Sequence, residues 1–362
     1  MDATFTETLS FHGRLAIYKN WGDSDDATAS GMLIDANRAH QPSSSNLWVD
    51  RVYVDWIPEG LPVPLAITIG RQPSTEGPPF EFKENRLRQS TYPAHLFNGE
   101  SDGIVATLGL ERYTGIAEMG LRFGYSKFYH SDDDNNMGSA FPFLDDGEAG
   151  DSNVFGILFE SEIPGLPDSL AVLSYAMVRD LPSSMIGPTL DEPAGTPANM
   201  DLGDMNVWGA HIQARNILDS GTDIFFSYGG NESSPNGTAQ YEYGLLSSNG
   251  LEARTGSSIY AGARYTIPFE PLNRPKIGFE FNHGSRYWFS MTMGGTDLFN
   301  KLATRGDAYD LYYIQPVNQY LFFRAGFMHI SYDYTGSGFY MGEPDATNAI
   351  LDNYYLLMDV RF

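Results

Sequence analysis

The sequence predicts an all-β fold: a single antiparallel transmembrane β-barrel of about fourteen strands, occupying residues 1–362 as one domain. Three observations predict it. The last ten residues alternate, with Tyr354, Leu356, Met358, Val360 and Phe362 on one side and Tyr355, Asp359 and Arg361 on the other, the period of a strand. The same grammar recurs in thirteen earlier stretches, of which the seventh, Leu170–Val178, is apolar on both faces. The connections between these stretches alternate long and short without exception, as in barrels with short turns at one end and long loops at the other.

In chain order, the first candidate runs from Phe5 to Lys19, with Phe5, Leu9, Phe11, Leu15 and Ile17 apolar against Thr6, Thr8, Ser10, His12 and Arg14. Trp48 to Trp56 sets Val52, Val54 and Trp56 against Arg51, Tyr53 and Asp55. Leu65, Ile67 and Ile69 begin the third, which ends in Gly70-Arg71-Gln72. Ile104 to Leu110 follows, then Ala117 to Tyr129, where Phe123 falls on the apolar side and Glu118, Arg122 and Ser126 on the polar side. The remaining candidates are Val154–Glu162, Leu170–Val178, Met205–Arg215, Thr222–Tyr228, Ser258–Ile267, Lys276–His283, Ala308–Ile314, Tyr320–Tyr334 and the terminal strand. Most lie near the 9–11 residues that a tilted strand needs to cross the hydrocarbon. The long connections are 20–46, 73–101, 130–151, 179–204, 229–256, 284–305 and 335–352. An even count lets the first and last strands pair antiparallel, leaving no edge exposed to lipid. It also puts both termini on the short-turn side. Two strands lost with the N-terminus would make the count sixteen.

Composition is compatible with this architecture and excludes others. Mean hydropathy is −0.29, and no window reaches the ~18 consecutive apolar residues of a spanning helix, yet a barrel needs apolar residues only at alternate positions. The 22 Tyr and 23 Phe suit aromatic girdles. With no Cys there is neither a disulfide framework nor a thiolate metal site. A net charge of −24 argues against nucleic acid, whose phosphates require Lys and Arg clusters. Met1 to Phe5 has neither the basic start nor the apolar core of a signal peptide.

Residues that would line a lumen carry both signs. Arg14, Arg51, Arg122, Arg264, Arg324 and Arg361 share the predicted inner face with Asp55, Glu118, Glu160, Asp223, Glu280, Asp310 and Asp359. The long connections account for −18 of the −24, so the acidity forms a crown on the loop side. Inner charges serve either as cross-strand ion pairs or as the walls of a polar channel. The 73–101 connection differs from its neighbours in carrying a basic cluster, Lys83, Arg86 and Arg88, and is expected either to fold inward as a constriction beside Arg71 or to stay exposed. Asp132, Asp133 and Asp134 offer hard oxygen ligands for Ca²⁺, but without EF-hand spacing, and a solvated acidic loop explains them as well.

There is no Gly-x-Ser-x-Gly, His-Glu-x-x-His or phosphate-binding glycine loop. His283 and Ser285 lie close in sequence near a strand end, but proximity of this kind arises readily by chance, and no enzyme is expected.

Three resemblances add to this reading. The last ten residues resemble the closing strand of a bacterial outer-membrane β-barrel, which implies that Phe362 belongs to the signal read by the barrel-assembly machinery. Ile69-Gly70-Arg71-Gln72 resembles a strand-end element of several porin families. His283 to Trp288, Lys301 to Tyr309 and Tyr332 to Gly338 resemble segments of a porin-like family of unknown function from anaerobic Gram-negative bacteria, which has no assigned catalytic residues. Together they imply a bacterial outer-membrane location among lipid and lipopolysaccharide, whose phosphates divalent ions on the acidic loops would bridge. The function expected is passive diffusion of small hydrophilic solutes. The alternatives are a partner-binding barrel, such as a sheath for an electron-transfer protein, and an outer-membrane hydrolase.

Overall fold

Strands form at all fourteen places where the alternation predicts them. The computed structural model describes residues 1–19, 45–129, 152–181, 201–238, 244–292, 297–338 and 340–361. Its elements in order are β1 (Asp2–Thr6), β2 (Leu9–Lys19), β3 (Ser45–Trp56), β4 (Leu65–Arg71), helix α1 (Phe80–Lys83), β5 (Phe97–Asn98), β6 (Asp102–Gly109) and helix α2 (Glu111–Thr114). There follow β7 (Gly120–Tyr129), β8 (Ser152–Ile163), β9 (Leu166–Arg179), β10 (Gly203–Ala214), β11 (Thr222–Pro235), β12 (Thr255–Thr266) and β13 (Lys276–Gly284). β14 (Met291–Thr292), β15 (Gly306–Pro316), β16 (Leu321–Tyr334) and β17 (Ala346–Val360) complete the chain. All except β5 and β14 belong to one 15-stranded sheet in sequential order, each neighbour antiparallel.

The fifteenth strand comes from the N-terminus, where the single predicted strand Phe5–Lys19 is a hairpin. β1 and β2 meet at a turn over Glu7 and Thr8, with Thr6 opposite Leu9. The turn lacks the Gly, Asn or Pro that marks most hairpins. Away from the turn the pairing sets Ala3 opposite Phe11 and Thr4 opposite Ser10, and the register shifts by one residue between Thr4 and Thr6. An odd count corrects two expectations. β1 runs in the same direction as β17, not antiparallel to it, and β1 enters from the long-loop side.

The sheet is curled into a barrel whose faces are inside-out relative to a water-soluble protein. Ile69, Ile104, Phe123, Ile157, Leu173, Ile224, Phe279, Leu311 and Met358 are exposed on the outer face. Leu9, Phe11, Trp208 and Phe323 are half-buried. Arg51, Glu160, Asp223, Arg264, Glu280, Asp310 and Arg324 are buried on the inner face. Pairing fixes these rows: Phe123 lies opposite Ala106 and Ile157, Glu280 opposite Gly262 and Asp310. On the inner row, Tyr312 and Tyr355 lie across Gly278 and Gly326 of the neighbouring strands. A Cβ at either glycine would fall 2.2 or 2.4 Å from the phenol ring.

Two of the long connections turn inward. Residues 72–101 and 285–292 are joined by the parallel pairing of β5 with β14, Phe97 to Met291 and Asn98 to Thr292. Leu96, Trp288, Phe289 and Met291 from these connections pack with Val178, Leu181, Met205, Val207, Leu246 and Met341 into an apolar cluster at the loop end of the lumen. The inward course of 285–292 was not expected from its sequence.

Candidate functional site

The first inner loop is folded by its own backbone before it meets the wall. Gly77 passes so close to the opposite limb that a Cβ would fall 1.7 Å from the carbonyl of Tyr92. Ala94 N donates to Pro78 O at 2.9 Å, Ser90 Oγ to Pro73 O at 2.5 Å and Ser74 Oγ to Gly99 O at 2.6 Å. The turn so made presents α1 to the lumen with all four of its residues buried.

A short helix ends with carbonyls that have no partner within it. Here the wall supplies them. Arg264 of β12 donates to Phe82 O at 2.6 Å, Arg324 of β16 to Lys83 O at 2.7 Å, and Arg361, just past β17, to Glu84 O at 2.6 Å. Each also binds a carboxylate: Arg264 that of Asp223 at 2.5 Å, Arg324 that of Glu84 at 2.8 Å, and Arg361 that of Asp359 at 2.7 Å. On the other side, Glu76 of the same loop receives Arg14 of β2 at 2.9 Å and Arg51 of β3 at 3.5 Å. A ten-residue stretch therefore touches strands near both ends of the sheet. That is possible only if the sheet wraps around it.

The basic cluster enters the lumen with every charge matched. Lys83 Nζ lies 2.5 Å from Asp310, Arg86 2.9 Å from Glu76, and Arg88 2.8 Å from Glu118 and 3.1 Å from Glu160. Arg122 of β7 also binds Glu160. Burial acts to raise the Glu76 carboxyl, but the Arg86 and Arg14 guanidiniums overcome it and hold the group below the usual range. Burial pushes the Lys83 ammonium down against the pull of Asp310. The second inner loop adds Lys301, 2.7 Å from Glu280, 3.1 Å from Asp310 and 3.5 Å from Asp297. Burial opposes its charge too, yet the surrounding carboxylates keep it well above the ordinary lysine value.

The predicted residues thus fall into three groups. Lys83, Glu280, Asp223, Arg264 and Arg324 meet around α1, while Arg14, Arg51, Arg86, Arg88 and Arg122 line the opposite limb of the loop. Asp55 stands nearby, accepting from Thr68 Oγ1 at 2.5 Å. Glu118 belongs with Arg88 but lies in the turn before β7, not on a strand, with a backbone φ of 54°. Arg71 does not face the lumen: it pairs in register with Val52 and Asp102 on the row of Ile69, and grips Asp102 with two hydrogen bonds of 2.9 and 3.0 Å. Gly70, at φ 121°, has a backbone conformation that favours glycine, and a Cβ there would fall 2.4 Å from the carbonyl of Val52. Ser126 is on the inner face but buried beneath the loop. Asp132, Asp133, Asp134 and Phe362 lie outside the described residues. His283 and Ser285 fall at the loop end of β13, where His283 Nδ1 lies 2.7 Å from Asp307 and Ser285 Oγ accepts from Ser257 N at 2.9 Å.

Sequence reasoning missed Lys301, His95 and the carbonyl grip of the arginines. Trp288-Phe289 and Leu302-Ala303, apolar residues inside a supposed surface loop, were the available signal for the second inner loop. His95 is buried against Tyr260 and Trp288 with Nε2 2.8 Å from Ser258 Oγ, and burial lowers its pKa to about 3.

Between the first inner loop and the wall of β3, β4, β6 and β7 lies a polar cavity of about 270 Å³. Tyr53, Asp55, Thr68, Gln72, Arg88 and Arg122 are among its lining residues. Its mixed charge, hydroxyl and amide groups suit water and small polar solutes.

The profile of a family described as "Protein of unknown function (DUF3373)" matches residues 1–360. Among curated proteins none matches. Among solved structures, the chain is similar to OmpT, an outer membrane protein of Vibrio cholerae folded in vitro, at 9% identity, with 99% of this chain and 85% of that one covered and a TM-score of 0.48. Its loop L8 deletion mutant gives 9%, 99%, 86% and 0.49. Salmonella typhi OmpF in complex with daunomycin gives 11%, 99%, 88% and 0.43.

Proposed function

The chain belongs to the DUF3373 family of proteins of unknown function, and from that premise we propose that it is a porin-like channel of the bacterial outer membrane, passing small hydrophilic solutes by diffusion without catalysis. The observation that carries this reading is the inversion of the two faces. Row after row of exposed Ile, Leu and Phe would be a liability in water, whereas lipid satisfies the same rows and a curled antiparallel sheet satisfies the backbone. The charges on the inner face and the 270 Å³ polar cavity support a water-filled path beside the first inner loop. That loop narrows the path to its β3–β7 side. Lipopolysaccharide and the assembly machinery of the outer membrane are the partners this reading implies.

One observation favours a second reading. An apolar cluster of residues from several long connections and strands lies at the loop end, which suits a barrel that holds a partner or serves as a scaffold. Planar-bilayer recording of the purified full chain separates the two. Stable open-channel current is expected; silence at every voltage below membrane breakdown would refute the channel and leave the scaffold.

A further inference from the structure

Resting on the channel reading, we propose that Asp310 is the positioning residue of the constriction: one wall carboxylate that holds both inner loops, so that neither moves without the other. Its Oδ2 lies 2.5 Å from Lys83 Nζ of the first inner loop and 3.1 Å from Lys301 Nζ of the second. Its Oδ1 accepts from Tyr355 OH at 2.9 Å. Tyr355 is itself fixed, lying across Gly326 where no larger residue fits. The carboxylate is therefore aimed before either loop arrives. All three charged groups are inaccessible to solvent, Asp310 at 0%, Lys301 at 1% and Lys83 at 2% exposure.

The chemistry of the cluster explains why a shared carboxylate couples the loops. An isolated ammonium in such a place is strongly disfavoured, and removing one partner of a buried ion pair costs far more than the pair contributes. Lys301 has a second partner in Glu280, whose Oε2 also accepts from Tyr260 OH at 2.8 Å. Lys83 has no second carboxylate within ion-pair distance among the described residues. If the second loop withdraws Lys301, Asp310 is left to Lys83 alone; if Asp310 is lost, Lys83 has no counter-charge. The apolar packing around α1, from Phe80, Phe82, Phe225 and Leu302, shows that the site could have been filled with hydrocarbon. Such a filling is commonly as stable as an ion pair, so the pairing here serves position.

The test uses thiol labelling, which is clean because the chain has no Cys. Ala94→Cys reports on the first loop and Ala303→Cys on the second, both positions being inaccessible at rest. Full-length barrels in vesicles are treated with a water-soluble maleimide, and folding of each variant is verified by heat-modifiable gel mobility. Asp310→Asn is expected to raise labelling at both reporters at least tenfold, and Asp310→Glu to restore most of the protection. Lys301→Met should alter labelling at Ala94→Cys, on the other loop. Its effect and that of Lys83→Met should be non-additive in the native background and additive once Asp310 is Asn. Additivity in the native background, or a response confined to the mutated loop, would overturn the proposal. Should Asp310→Asn fail to fold, the pair of lysine variants still decides the question. The readout needs no current, so a barrel that does not conduct refutes the channel while leaving the coupling to be judged by its own result.

Discussion

Replacing Phe123 with Arg tests the orientation of the whole wall. Phe123 is the fourth residue of β7, exposed on the outer face between Ala106 and Ile157. Three residues at about 3.3 Å each, on a strand tilted by about 40°, put it roughly 7–8 Å above the strand's lower end. In an apolar band about 25 Å tall that is about a third of the way across. Arg costs about 2–4 kcal/mol at mid-membrane and about 0–1 at the interfaces, so Phe123→Arg is expected to cost about 2–3 kcal/mol. A matched control must face the lumen with room to spare. Ser126 is unsuitable, being covered by the first inner loop, but Thr68 lines the polar cavity and already donates to Asp55. Thr68→Arg keeps a donor there and is expected to change stability by less than about 1 kcal/mol. Urea titration of folding into lipid vesicles gives both numbers. Equal losses for the two variants would refute the inside-out assignment.

Three further outcomes follow from the same geometry. Glu160→Gln leaves the guanidiniums of Arg88 and Arg122 without their shared carboxylate, so reversal potentials should move toward anions; an unchanged potential would place the ionic path elsewhere. Native channels should prefer cations modestly at low ionic strength, because the acidic crown acts through a field screened within about 10 Å at 0.1 M and about 3 Å at 1 M salt. Neutralising Asp132, Asp133 and Asp134 together should reduce that preference without altering high-salt conductance, and anion preference at low salt would contradict the crown. His95 has a folded-state pKa of about 3 against the usual 6.5, so the unfolded chain binds more protons between these values. Its contribution is complete above about pH 6.5 and is lost as pH falls toward 3, by roughly 3–5 kcal/mol in all. His95→Gln should flatten stability over that window relative to the native chain; parallel profiles would show that His95 is not the group responsible.

The wall was legible in the sequence because lipid on one side and charge on the other impose a period of two on nearly every strand. Tyr354 to Val360 and Ile277 to Phe281 need nothing beyond that rule. The first hairpin escaped because Glu7-Thr8 carries none of the residues that usually mark a turn. Within the lumen, Arg264, Arg324 and Arg361 were identifiable as inward-facing, but their targets were not: 182, 241 and 277 residues separate them from the carbonyls they bind, and no local pattern announces a backbone acceptor. Lys301 was hidden by the assumption that every long connection lies outside. Arg71 has the parity of Leu65, Ile67 and Ile69, and the pairing keeps it on that outer row, so its charge and not the alternation had suggested the lumen.

The grip of the late strands on the first inner loop also bears on how the barrel is assembled. Lys83 meets Asp310 across 227 residues of chain, Lys83 O meets Arg324 across 241, and Glu84 O meets Arg361 across 277. Closing such spans is thermodynamically mild, since doubling a loop's length costs only about 0.6 kcal/mol, but contacts this remote are slow to find. The loop is held from both ends of the sheet, by Arg14 and Arg51 on one side and by Arg264, Arg324 and Arg361 on the other, so the late strands complete its seat. β12, β15, β16 and the residues after β17 then act as a clasp, fastening the loop. A chain stalled before those strands would carry α1 with bare carbonyls and Lys83 without a counter-charge, a mark by which an unfinished barrel differs from a finished one.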